Sequence, residues 1–294
     1  MPFEEISVGD VRVRAILDLQ SSEGPIVDSF PGAPAEALLA ERARYPGVYG
    51  SDDEWILRVR AWLVVHPSGI LLMDTGVGGP ASPSMGWAPE PGSLMSGLAE
   101  AGTAAADVDT VVLSHVHDDH IGGTTDEAGA PAFPAARYVI QRADLEWQRE
   151  GAREKDEDAT LWERLLAPLE ERAQLDTVEG DVELDARFGL RHAPGHTPGH
   201  QLLVVTDGDQ RLIVSADAFN HPAQLDHPDW PSGPDADHDL AAHSRRALLE
   251  DLRERPDTIL APTHFDRAFG RFDPDAASPW VVVGSDESPA TQRT

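Results

Sequence analysis

The stretch Ser114-His115-Val116-His117-Asp118-Asp119-His120-Ile121-Gly122-Gly123 limits what this chain can fold into more than any other. It places three histidines and two aspartates in the six positions 115–120, directly after the apolar run Val108-Asp109-Thr110-Val111-Val112-Leu113. An apolar, β-branched run of that length reads as a buried strand, and the two glycines that close the segment permit a tight change of direction. In an extended chain, alternate side chains share a side, so His115 and His117 face the same way. Asp119 and His120 fall where the chain turns and a helix can begin. A single strand-to-helix loop can therefore present two groups of ligands to two neighbouring cations. The alternative is a solvated polar loop with incidental histidines, which leaves unexplained why the cluster sits at the mouth of a buried strand. The chain has no cysteine, so every metal ligand must be nitrogen or oxygen. Imidazole and carboxylate suit zinc, iron or manganese, and such ions at a site open to water generate a nucleophile near neutral pH.

Charge narrows the partners. The 52 acidic and 23 basic residues give a formal net charge of −29, which repels phosphate backbones and anionic membranes. No nucleic acid and no membrane partner is expected, and most of the charge reads as a solvated surface. With 294 residues, 40% of them hydrophobic, the chain can bury a large core as one big domain or two small ones. The acidic start Met1-Pro2-Phe3-Glu4-Glu5-Ile6 does not read as a secretory signal, and no apolar run approaches the ~20 residues of a membrane span, so a cytoplasmic location is expected.

Strand patterns occupy Val11–Leu17, Trp55–His66, Gly69–Met73, Thr110–Leu113, Arg137–Gln141, Phe188–His192, Gln201–Thr206, Arg211–Ser215 and Thr258–Ala261. Helical patterns occupy Ala35–Arg44, Gly92–Ala101, Arg142–Glu150, Ala159–Arg172 and Asp239–Arg255. Pro67-Ser68-Gly69 and Asp207-Gly208-Asp209 have hairpin chemistry. Strands joined in hairpins and interleaved with helices predict sheets packed on each other with helices outside.

Three further strand patterns end in candidate ligands. His196 lies in Ala193-Pro194-Gly195-His196-Thr197-Pro198-Gly199-His200, between two strands; Asp217 closes Leu212-Ile213-Val214-Ser215-Ala216-Asp217; and His264 follows Ile259-Leu260-Ala261-Pro262-Thr263. Polar residues on loops carried by a rigid scaffold are where chemistry concentrates.

Taken in order, His-x-His-x-Asp-His at 115–120, Gly-His-Thr-Pro-Gly-His at 195–200, Asp217 and His264 resemble the metallo-β-lactamase fold superfamily over nearly the whole chain, and Asp74-Thr75-Gly76 resembles its early strand-loop motif. The resemblance implies an α/β fold, an αββα sandwich of two mixed β-sheets flanked by helices, as a single domain over 1–294. It implies two divalent ions, zinc foremost with manganese or iron as alternatives: one held by His115, His117 and His196, the other by Asp119, His120 and His264, with Asp217 bridging. A hydroxide between the ions would attack an electrophilic carbonyl or phosphoryl centre. Asp74 would orient a ligand histidine, or be an ordinary turn aspartate. Asp118 is not expected to ligate, and His200 reads as a structural hydrogen-bonder.

The segments Leu17 to Pro31, Asp217 to Gln224 and Thr263-His264-Phe265 are most similar to the branch containing N-acyl-homoserine lactonases and methyl-parathion-hydrolase-like enzymes. Lactonases of that branch typically carry a tyrosine three residues after the bridging aspartate; here that position is Asn220, which can hydrogen-bond but supplies no phenolic proton. Asp119, Asp217, Asn220 and His221 form the expected catalytic set, with a small-molecule substrate and a homodimer left open. Trp87, Trp147, Phe219, Trp230 and Phe265 are candidate pocket walls, of which at most two are expected to serve. Ester or lactone hydrolysis is the leading expectation. Phosphotriester or thioester hydrolysis is the alternative, and an iron-dependent persulfide dioxygenase is the reading from another class. A glutathione-binding domain of the thioesterase kind is not expected in the stretch from Phe265 to Thr294, and the absence of cysteine excludes the cysteine-ligand β-lactamases.

Overall fold

Alternation along the strands gives each sheet two apolar faces, and that decides the layering of the computed structural model, which describes residues 3–284. The first sheet runs in chain order: β1 (Phe3–Val8), β2 (Val11–Pro25), β3 (Glu54–His66), β4 (Gly69–Met73), β5 (Thr110–Val112), β6 (Arg137–Gln141) and β7 (Leu175–Val178). The second holds β8 (Val182–Glu183), β9 (Phe188–His192), β10 (Gln201–Asp207), β11 (Gln210–Ala216), β12 (Ile259–Pro262), β13 (Gly270–Phe272) and β14 (Trp280–Val282), again in sequential order. Trp62, Val64, Leu71, Met73 and Val112 of the first sheet meet Leu203, Val205, Leu212, Val214 and Ile259 of the second in one buried cluster. Their neighbours Ala61, Leu63, Leu72 and Val111 point the other way, under Leu94 and Leu98 of α3 (Leu94–Glu100 in our numbering of helices, after α1, Ile26–Ser29, and α2, Ala35–Ala40). Ile213, Val204 and Leu260 likewise point outward, under Leu248, Leu249 and Leu252 of the long C-terminal helix His238–Glu254. Helix, sheet, sheet, helix is thus the order of layers, the expected sandwich of two mixed sheets.

Both sheets are mixed for a reason that bears on the site. The strands β4 to β7 are parallel in the first sheet, and β11 and β12 are parallel in the second. Parallel neighbours need long crossovers. These are supplied by α3, by α4 (Asp118–Ile121), by α5 (Arg142–Gly151), α6 (Asp156–Leu161) and α7 (Ala167–Glu171), and by α8, the His238–Glu254 helix. The carboxyl ends of the parallel strands open on one rim, where parallel sheets place ligand sites. Asp74, Ser114-His115, Asp217 and His264 follow β4, β5, β11 and β12 respectively.

The strands and hairpins expected at the centre of each sheet are present, with β4, β6 and β9 at the expected bounds. Two expectations are corrected. The helix expected over 159–172 is three pieces: α6, a π-helical turn Trp162–Leu166, and α7. Pro168 lacks the N–H that Arg164 C=O would accept and crowds that carbonyl. Thr125 Oγ1 donates to Arg164 O at 3.0 Å and Thr124 Oγ1 to Leu165 O at 2.8 Å, so the carbonyls are satisfied from outside the helix. The strand expected to stop at Leu17 instead runs on to Pro25, pairing with β3 through two register shifts. Among the described residues no helix is long and apolar enough to cross a membrane. The single-domain expectation extends over residues 1–2 and 285–294, which lie outside the described residues.

Candidate metal centre

The backbone at one site residue and immediately before another is held in a conformation that L-residues avoid. Asp74 has φ +64° and Ala216, immediately before Asp217, has φ +43°. Non-glycine residues in the left-handed region carry strain of roughly 1–3 kcal/mol each and persist where surroundings over-determine them. Asp74 is fixed by accepting from Ser114 N and Ser114 Oγ, both at 2.7 Å. Ala216 ends β11 at a break in register with β12, which turns Asp217 out of the sheet.

The loop carrying His196 is clamped from two helices. A Cβ on Gly195, at φ +130°, would lie 2.0 Å from Ala241 N, so the loop sits directly on the first turn of α8. On its other side, Thr197 Oγ1 donates to Asp144 Oδ2 of α5 at 2.8 Å, and a Cβ on Gly199 would lie 2.6 Å from Asp144 N. His264 is held from the opposite sheet. Arg60 of β3 is buried and donates Nη1 to the carbonyls of Thr263 and Phe265 at 2.7 and 2.6 Å, and His264 Nδ1 bonds Arg58 O at 2.6 Å.

These supports bring all seven expected ligands together in two adjoining sets. In the first, His115 Nε2 is 3.0 Å from His117 Nδ1, which is 2.9 Å from His196 Nε2. In the second, His120 Nε2 lies 3.4 Å and His264 Nε2 3.7 Å from Asp119 Oδ2. Asp217 joins them: its Oδ1 is 3.1 Å from His120 Nε2, and its Oδ2 is 3.0 Å from His264 Nε2 and 3.3 Å from His196 Nε2. Three overlapping donor groups of metal-binding dimension result: His115–His117–His196, His115–His120–Asp217 and Asp119–His120–His264.

The donor set can be tested for fit to a cation. His120 Nε2 and Asp217 Oδ1 are buried, face each other, and make no hydrogen bond. Buried polar atoms without a partner are costly, and here a cation is the group that both would satisfy. Burial, reinforced by the neighbouring imidazoles, drives His115 well below the ordinary histidine range, and burial and His196 push His117 down to about 3. Neutral imidazole is the form that binds metal. His120 differs, since Asp119, Asp217 and Asp74 outweigh its burial and raise it. Divalent-cation binding is what this arrangement is built for.

The remaining sequence candidates are placed as follows. Asp74 Oδ2 takes His120 Nδ1 at 2.8 Å, the orienting contact anticipated for it. Asp118 turns away to accept Trp87 Nε1–H at 2.7 Å. His200 bonds Ala193 O through Nδ1 and accepts Asp217 N–H on Nε2, both at 3.1 Å, which fixes the backbone of Asp217. Asn220 Nδ2 donates to Asp217 Oδ2 at 2.8 Å, while Asn220 Oδ1 is buried without a partner. His221 accepts Ala223 N–H on Nδ1 at 3.0 Å, which puts its proton on Nε2, a buried and unpartnered donor. Its ring is fenced by Phe30, Tyr45 and Tyr49 at centroid distances of 5.5, 6.1 and 5.5 Å. Of the five aromatic candidates, Phe219 and Phe265 are core residues and Trp230 stacks on His227, whereas Trp147 stands 6.5 Å from His117 and Trp87 holds Asp118. Sequence reasoning missed Arg60, Asp144 and Asp235; the last accepts His196 Nδ1–H at 2.8 Å.

The pattern of the metallo-beta-lactamase superfamily matches residues 56–264, from β3 to the last ligand. The chain belongs to that superfamily. It is 30% identical over 179 residues to an N-acyl homoserine lactonase of a Bacillus species, a match spanning 55% of this chain and 64% of that protein. The fold also matches the crystal structure of AbOPH, a hydrolase in the beta lactamase superfamily, with TM-score 0.83, 21% identity and coverage of 96% and 97% of the two chains. A dizinc quorum-quenching lactonase, AidC, in complex with a product gives TM-score 0.79, 23% identity and the same coverage.

Proposed function

We propose that this chain is a metal-dependent hydrolase that holds two divalent cations, zinc foremost, and cleaves a small lactone or ester with water. The observation that carries the reading is Asp217: one carboxylate oxygen faces His120 and the other faces His264 and His196, so a single side chain belongs to both donor sets. His115, His117 and His196 would hold one cation, and Asp119, His120 and His264 the other. Bound there, the cations would supply Lewis-acid polarisation of the carbonyl and a water acidic enough to act near neutral pH. The lactonase relatives support a lactone over other esters, and the likeness to a dizinc lactonase supports zinc.

The chain's own residues do the rest. Asp217 and Asp119 stay ionised: burial opposes the charge, but the imidazoles of His120 and His264 outweigh it and hold both carboxyls below the ordinary range, so both would serve as ligands, and no serine or cysteine nucleophile is needed. Asn220 holds Asp217 Oδ2 through Nδ2 and has Oδ1 free to accept from the substrate; His221 has Nε2–H free to donate. Burial pushes His221 down to about 3, so it stays neutral and acts as a fixed donor rather than a general acid. Trp55, 6.0 Å from the His264 ring and 5.3 Å from Phe30, extends an apolar wall from the second donor set toward His221. Apolar walls with a few convergent polar groups are the make-up of a small-molecule site.

The test is a panel of lactones, aryl esters, thioesters and phosphotriesters assayed on protein reconstituted separately with zinc, manganese and iron. Lactone or ester turnover with zinc or manganese, lost on chelation, is expected. Turnover confined to phosphotriesters would replace the substrate class, and no hydrolysis with any metal would overturn the reading.

A further inference from the structure

Two of the site's histidines turn their outward ring nitrogen to a buried carboxylate, and the two belong to different donor sets. His120 Nδ1 is 2.8 Å from Asp74 Oδ2, and His196 Nδ1 is 2.8 Å from Asp235 Oδ1. The outward nitrogens of His115 and His264 meet neutral groups instead, Ser114 Oγ and Arg58 O. A carboxylate behind a ligand histidine fixes its tautomer and ring orientation and makes the inward nitrogen more basic.

We propose that Asp235, clamped by Arg245 of α8, is a positioning residue that sets cation affinity at the His115–His117–His196 set and leaves the Asp119–His120–His264 set untouched. The inference rests on the metal-centre reading above.

Three observations carry it. The Asp235 side chain is fully enclosed and spends both oxygens: Oδ1 on His196, and Oδ2 on Arg245 Nη1 at 3.2 Å and Ser232 N–H at 3.0 Å. Arg245 is itself buried and is fixed independently by donating Nε to Pro228 O at 2.7 Å, so the carboxylate cannot swing away. A buried ion pair is a weak source of stability; what this one supplies is direction, delivered to one imidazole. Finally, the backbone on either side is anchored without the Asp235 side chain. Ala236 N–H donates to His196 O at 3.0 Å, Asp237 N–H to Gly195 O at 2.9 Å, and Asp237 caps α8 by accepting from Leu240 N–H at 2.9 Å. Removing the carboxylate therefore frees the His196 ring while its backbone stays in place. Nothing comparable connects Asp235 to His120 or His264, whose supports come from β4 and β3.

The experiment is zinc retention by the full chain dialysed against a graded series of competing chelator, read as zinc per chain, with the melting temperature recorded alongside. The wild type is expected to hold two zinc ions. D235A should release one of them at about 10- to 100-fold lower chelator strength, the usual effect of losing such a partner, with the second ion unchanged. D235N, which keeps an acceptor for the His196 ring but not the charge, should fall between, and R245M should shift the same ion in the same direction. D235A should add nothing to H196A but keep its full effect in H264A. Equal weakening of both ions, or a lowered melting temperature with unchanged zinc retention, would overturn the assignment by reducing Asp235 to a purely structural residue. A wild type that holds no zinc would overturn the metal-centre reading itself, and this inference with it.

Discussion

Asn220 donates its side-chain amide to Oδ2 of Asp217 across 2.8 Å, and that same oxygen lies 3.0 Å from Nε2 of His264. The residue three places after the shared aspartate is thus tied to the aspartate itself, and only its Oδ1 remains unpartnered. N220A should leave a buried carboxylate oxygen one donor short, at a cost of about 1–3 kcal/mol, and lower kcat by at least about tenfold. N220D should be worse than N220A, because it sets a second carboxylate against Asp217. Steady-state kinetics on the best substrate of the panel, with metal content measured on the same samples, checks the order. N220D activity equal to wild type would exclude the contact from the chemistry.

Asp217 reaches both donor sets, its Oδ2 lying 3.3 Å from His196 Nε2 and 3.0 Å from His264 Nε2. D217A is expected to lower the content of both metals and abolish hydrolysis, whereas H264A and H120A should affect one ion and H196A the other. Metal analysis of the four purified variants by mass spectrometry is the measurement. Full occupancy by two ions in D217A, with near-normal turnover, would remove the bridging role.

Enclosed ligands without a cation leave orphaned atoms such as His120 Nε2 and Asp217 Oδ1. Metal bound at about a hundred times its Kd adds about 2.7 kcal/mol per site to the native state. In a chain of this size that corresponds to a fall in Tm of roughly 4–5 °C on chelation of a single site. Differential scanning calorimetry with and without chelator reads it, and restoration by added zinc completes the test. An unchanged Tm would mean that the fold does not depend on its metal.

The reach of the sequence followed the length of the physical signal. Period-two alternation along β3, β10 and β11 serves a buried face and an outer face at once, so those strands were legible. Strands β8, β13 and β14 are two or three residues long and are set by pairing with neighbours, which no local pattern records. The donor cluster at 115–120 was legible because metal chemistry restricts both residue type and spacing, and His196, Asp217 and His264 were added to it through the family resemblance. Their supports were not: Asp235 lies in Pro231-Ser232-Gly233-Pro234-Asp235-Ala236-Asp237, where it is indistinguishable by type from the capping Asp237, and only tertiary packing singles it out. The fence of Phe30, Tyr45 and Tyr49 around His221 is assembled from segments far from it in sequence, so composition near the motifs pointed to other aromatics.

His221 gives a pH dependence whose sign can be worked out. Burial lowers it from the usual 6.5 to about 3, so below pH 6.5 the unfolded chain takes up a proton that the folded chain refuses. The unfolded state then binds more protons, and stability rises with pH in that interval. The contribution is complete above pH 6.5 and is lost as pH falls from there toward 3. H221N keeps an acceptor for Ala223 N–H and removes the titrating ring. Going from pH 7 to pH 4.5, the wild type should lose about 2–3 kcal/mol more than H221N, from about 1.4 kcal/mol per pH unit. Urea unfolding of both proteins at the two pH values, in chelator so that metal release does not intrude, measures the difference. The same variant should lower kcat at pH 7 and leave metal content intact, since the Nε2–H donor is lost while every ligand remains. Parallel stability losses in the two proteins would mean that His221 takes up its proton in the folded state by pH 4.5, so that burial does not keep it neutral through this interval.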